Sequence, residues 1–112
     1  MKTNITGIEL IAQERKEQLE KHNRTIQEDI ELNKDVISIK YPQAAGMLLL
    51  DESGRDMMIK RKYTPYNWNQ DQFTKMMQKS YKERLIIAGA LLAAEIDRII
   101  SLEEELEDNN TV

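Results

Sequence analysis

The chain has 112 residues, 40% of them apolar and 32% charged, with 16 basic and 20 acidic side chains and a net charge of −4. That length builds one core, and the composition is that of a globular chain rather than a disordered one. The absence of Cys excludes disulfides, thiolate chemistry and Cys-bound metal, and a single His excludes any site that needs two imidazoles.

Four Gly and two Pro argue against a loop-rich or all-β fold. No apolar run approaches the ~18 residues of a membrane span, and the N-terminus lacks a basic-then-apolar signal pattern. The expectation is a cytoplasmic, all-α protein that touches no membrane: a small helical bundle forming a single domain over 1–112, with a long C-terminal helix. Three helix starts share one device, a Ser or Thr followed three residues later by Glu: Thr6 with Glu9, Thr25 with Glu28, Ser80 with Glu83. In this capping box the hydroxyl accepts the third residue's amide hydrogen, and the carboxylate reaches back to the cap's own amide.

The first helix should run from about Gly7 to His22, with Ile8, Ile11 and Leu19 on one stripe and Ala12 and Arg15 filling the spacing. His22-Asn23-Arg24 is the turn. A second, short helix covers about Ile26 to Asn33, with Ile26, Ile30 and Leu32 facing inward. Val36 to Tyr41 is β-branched and partly alternating, which suits a short extended piece. Pro42 fits the first turn of a further helix, whose Ala44, Ala45, Met47, Leu48, Leu49 and Leu50 should be largely buried. Asp51 to Gly54 should end it, with Gly54 able to take positive φ.

Residues 55–79 look least regular, broken by Pro65 and by Asn67-Trp68-Asn69. A short helix over about Gln70 to Lys79 carries Phe73, Met76 and Met77. The last helix starts near Tyr81 and runs to about Glu107. Leu85 to Ala94 is apolar or small nearly all round and reads as the buried centre. Gly89 inside it costs about 1 kcal/mol against Ala, which suggests that another backbone passes close. An apolar stretch of this kind in so short a chain also points to self-association. The segment 103–112 reads as an acidic, frayed tail.

Charge is unevenly spread: 7 basic and 10 acidic residues over 1–52, 8 and 3 over 53–84, and 1 and 7 over 85–112. The overall sign disfavours nucleic acid as a partner. The central segment, net +5, also holds Tyr63, Tyr66, Trp68 and Tyr81 and is the place suited to an anion. Trp68 either plugs the core edge or stacks on a ligand ring. Glu95 follows an apolar run and needs a partner, Arg15 or Arg98. His22 suits the C-terminal carbonyls of its helix, and Lys60-Arg61-Lys62 is either a solvated loop or a phosphate contact. No nucleophile–base pair, glycine-rich phosphate loop or nucleophile elbow is present.

Glu14 and Glu17 are spaced i, i+3, and Glu28 and Glu31 repeat the spacing on the second helix. Such pairs suit a hard divalent cation. They resemble the all-α NTP pyrophosphatases of the MazG-like superfamily, which carry E-x-x-E on one helix and E-x-x-D on the next. Here the acid after Glu31 is Asp35, four residues on, so the second pair departs from that pattern. Across most of the chain, Glu14, Arg15, Gln18, His22, Trp68, Gly89, Glu95 and Arg98 follow the order of a second pattern. It resembles a group of short phage, prophage and bacterial proteins with E-R-x-x-Q on the first helix and a closing K-A-G-A-L-x-x-A-E-I-x-R helix. That resemblance implies an all-α fold and a phage context, hence the host-cell cytoplasm, and supplies no reaction.

The function expected is non-catalytic binding of a small anionic, nucleotide-like ligand, with no cofactor and no metal. In a phage protein this suggests a sponge that sequesters a nucleotide immune signal. The residues expected at the ligand are Arg15, Gln18, His22, Tyr66, Trp68, Lys82, Arg84 and Glu95. The alternatives are a Mg²⁺-dependent pyrophosphatase using Glu14, Glu17, Glu28 and Glu31, or a helical scaffold.

Overall fold

The computed structural model of the chain describes residues 5–33, 40–65 and 68–110. Among them are six helices and no strand: α1 (Gly7–Lys21), α2 (Ile26–Asn33), α3 (Lys40–Leu48), α4 (Glu52–Lys60), α5 (Gln70–Met77) and α6 (Tyr81–Asn110). The all-α reading holds, with the long C-terminal helix as its axis.

The three expected starts are made in their hydroxyl half. Glu9, Glu28 and Glu83 donate their backbone N–H to Thr6 Oγ1, Thr25 Oγ1 and Ser80 Oγ, each at 3.2 Å. These oxygens satisfy amides that a helix start leaves without an intrahelical partner. α1 closes at the expected turn. Asn23 takes φ 53°, the Arg24 N–H donates to Leu19 O and the Asn23 N–H to Glu20 O, both at 2.9 Å. This is a Schellman closure with Asn in the place glycine favours.

One helix was not foreseen. Gly54 has no positive φ; its N–H donates to Asp51 Oδ1 at 2.8 Å, and Asp51 caps α4. Asp is as good an N-cap as it is a turn residue, and the poor helix propensities of Ser53 and Gly54 masked the start. α4 ends in a second Schellman closure at Lys62, φ 56°. Of the extended piece expected over Val36–Tyr41, Lys40 and Tyr41 belong instead to α3, and 34–39 lie outside the described residues.

The core joins Ala44, Ala45 and Leu48 of α3, Phe73 and Met77 of α5, and Ile87, Ala88 and Leu91 of α6. α1 lies on another side of α6. A Cβ on Gly89 would meet Ile11 Cδ1 at 2.6 Å and Cγ1 at 2.8 Å, so the close neighbour is a side chain and not a second backbone. The stretch Leu85–Ala94 is not buried all round. Ile87, Ala88, Ala90, Leu91 and Ala94 are buried, whereas Leu85 and Leu92 are exposed, because α1 and α3 leave a third side of α6 open. Ile26 and Leu49, expected inside, are exposed as well.

Gly89 therefore trades helix propensity for the approach of Ile11. Gly89→Ala should lower stability in the natural chain. In an Ile11→Ala background, where the clash is gone, it should raise stability by about 1 kcal/mol. Urea unfolding midpoints of the four variants of this cycle measure both signs.

Candidate functional site

Where α1, the start of α3 and α5 meet over α6, they leave an open cleft of about 1030 Å³. Its apolar floor is Leu10, Met76, Ile86, Ile87 and Leu91. α1 supplies one wall through Glu14, Arg15, Glu17, Gln18 and Lys21, continued by His22 and Arg24 beyond its closing turn. The opposite wall is Lys40, Tyr41, Trp68 and Gln72, with Lys75 and Lys79 towards the end near Glu83. Six cationic side chains (Arg15, Lys21, Arg24, Lys40, Lys75, Lys79) and four carboxylates (Glu14, Glu17, Asp29, Glu83) thus line it.

Asp29 organises the inner end. It is 6% exposed, and its Oδ2 accepts from Arg15 Nη2 at 3.0 Å while Oδ1 accepts from Arg24 Nη1 at 3.3 Å. Arg15 Nη2 also donates to Asp97 Oδ2 at 3.2 Å, tying α1 to both α2 and α6. A buried carboxylate persists only with such partners.

Trp68 is fixed from two directions. Its indole N–H donates to Lys40 O at 3.2 Å, and its ring meets Phe73 edge-on at 5.8 Å between centroids. Lys40 Nζ lies 5.5 Å from the Trp68 ring centre and 5.6 Å from that of Tyr41, within cation–π range of both. Burial holds the Lys40 ammonium below the usual lysine range, and the positive charge of Arg24 adds to this while Asp29 opposes it. On the facing wall, burial pushes the Glu14 carboxyl up. The Gln18 side-chain amide, donating at 3.4 Å, opposes that shift, and the neighbouring Glu17 charge reinforces it.

Of the residues expected at a ligand, Arg15, Gln18, His22 and Trp68 line this cleft. Tyr66 lies outside the described residues. Lys82 is exposed and does not line the cleft. Arg84 is a correction. It is fully buried, with Nη1 donating to Leu48 O at 3.0 Å and Leu50 O at 2.7 Å, and its guanidinium over the Tyr81 ring at 5.4 Å. It closes the C-terminal end of α3 and has no face for a phosphate. Glu95 is a second correction. It is buried in a pair with Arg98 on the same helix and does not line the cleft. Glu28 and Glu31 are exposed and engaged by Thr25 and Gln27. No group of three or more Asp, Glu or His side chains converges as a metal site among the described residues.

No family model, curated protein or solved structure matches the chain. Its site is therefore read from its own geometry. Lys40, Tyr41 and Arg24 were missed by the sequence reading. The signal for Arg24 was its position one residue past a helix-ending Asn; alternation through Val36–Tyr41 hid the helical start that turns Lys40 and Tyr41 inward.

Arg84→Ala should cost about 3 kcal/mol, because it removes a charged double donor and leaves two carbonyls buried and unpaired. Chemical denaturation read by circular dichroism measures this.

Proposed function

We propose that the cleft binds a small anionic, nucleotide-like ligand and returns it unchanged. The observation that carries this reading is the Lys40 ammonium held over Tyr41 and Trp68, beside Arg24, in a cleft with more cations than carboxylates. A flat base needs an aromatic face, and phosphates need cationic donors. Trp68 presents a ring already fixed by its N–H and by Phe73. A base stacking there takes the face that Lys40 now covers, and the displaced ammonium meets the phosphates with Arg24. Gln18 and His22, across the cleft, supply hydrogen bonds to a sugar or base edge. An anion beside Lys40 also offsets the destabilisation that burial imposes on its charge.

In a chain that resembles short phage proteins, such binding is the work of a sponge: sequestration of a nucleotide signal inside the infected cell. One observation favours the pyrophosphatase reading, the raised Glu14 carboxyl beside Glu17 on the same wall.

Trp68 is the single Trp, so its fluorescence reports on the cleft directly. Titration with a nucleoside diphosphate and with a cyclic dinucleotide should quench it, and Lys40→Ala should weaken binding at least tenfold. Affinity should fall as pH rises through the lowered Lys40 pKa, because the ammonium loses its charge there. Chromatography of the nucleotide after heating the protein should return it intact. Hydrolysis that needs Mg²⁺ and is lost in Glu14→Gln would establish the enzyme instead, and indifference of Trp68 to all nucleotides would leave the scaffold.

A further inference from the structure

The side of α6 that α1 and α3 leave open carries Leu85, Leu92, Ile99 and Leu106 at intervals of seven residues, with Ile96 and Ile100 beside them. Leu92 is 41% exposed, Ile96 55% and Leu106 63%. Seven-residue spacing keeps a stripe on one side of a helix that packs along a second helix. The stripe runs along most of a helix of 30 residues, about 45 Å at 1.5 Å per residue. The residues that α6 gives to the cleft (Glu83, Ile86, Ile87 and Leu91) lie on other sides of the helix.

Charge identifies the occupant. The same face begins at Lys82 and ends at Glu103 within the acidic run Glu103–Asp108. In a parallel pair of copies each residue meets its own equivalent, so Glu103 would face Glu103 and the acidic ends would repel. In an antiparallel pair each acidic end meets the basic start of the other copy. With Leu92 opposite Ile96 of the second copy, Leu85 faces Glu103, and Lys82 lies one turn from Glu103.

We infer that the open side of α6 is the interface of an antiparallel homodimer built on a two-fold axis between Leu92 and Ile96. The arrangement is self-complementary, as a two-fold interface requires. It buries the apolar stripe without touching the cleft, so each copy keeps its own site.

The full chain in sedimentation equilibrium should show twice the 13.1 kDa chain mass. Leu92→Asp should make it monomeric with the helical circular dichroism signal retained, since Leu92 makes no part of the core. Lys82→Glu should weaken association at least tenfold at low salt, and adding Glu103→Lys should restore it. The absence of Cys allows a direct test of direction. Leu85→Cys protein mixed with Glu103→Cys protein should form a mixed disulfide, and neither variant should cross-link alone. A monomer across the micromolar range, a dimer that survives Leu92→Asp, or self-cross-linking of Leu85→Cys would each overturn the inference. None of these readouts depends on a nucleotide.

Discussion

Asp29 is the constraint around which the cleft is assembled. Its carboxylate is out of water, so it must be neutralised in place, and two guanidinium groups do this from different parts of the chain. Because Arg15 is shared with Asp97, one carboxylate fixes the relative positions of α1, α2 and α6. Removing one member of such a network leaves an unmatched buried charge, which costs far more than the intact network contributes. The arrangement is accordingly a device for position more than for stability. It holds the closing turn of α1, and with it His22 and Arg24, against the cleft.

The two walls of the cleft are made differently. The α1 wall is a single helix surface, set by ordinary periodicity and by Gly89, which lets Ile11 seat against α6. The other wall brings together residues far apart in sequence, joined where the Trp68 indole donates to the Lys40 carbonyl. That hydrogen bond keeps the Trp68 ring upright, and the Phe73 edge contact keeps it from turning. The aromatic faces therefore occupy one wall, with Lys40, Lys75 and Lys79, while the facing wall carries Arg15, Lys21 and Arg24 beside the Glu14–Gln18 pair and the carboxylate of Glu17.

Local signals in the sequence were legible because their physics is local. The three Ser/Thr–Glu starts, the turn at Asn23 and the long final helix depend on residues within a few positions of one another. Glu95 was read correctly as needing a partner, and Arg98 supplies it one turn away. What was not legible was decided at long range. Arg84 looked like a phosphate contact at a helix start, and only the arrival of the α3 terminus turns it into a core residue. Lys40 and Tyr41 sat in an alternating stretch, and their place in the cleft depends on where Trp68 comes back. The α4 start at Asp51 failed for a different reason, since Asp-x-x-Gly serves a turn and a cap equally well.

Arg84 has one more consequence. A guanidinium keeps its proton throughout the range in which proteins are folded, so the core of this molecule carries a permanent positive charge. The carbonyls of Leu48 and Leu50 that face it lie at the negative pole of the α3 backbone dipole, which is the natural counterweight for such a charge. The groups that burial shifts, the Glu14 carboxyl upward and the Lys40 ammonium downward, sit instead on the two walls of the cleft. The guanidinium is thus spent on the fold, while the two shifted groups are left to the cleft.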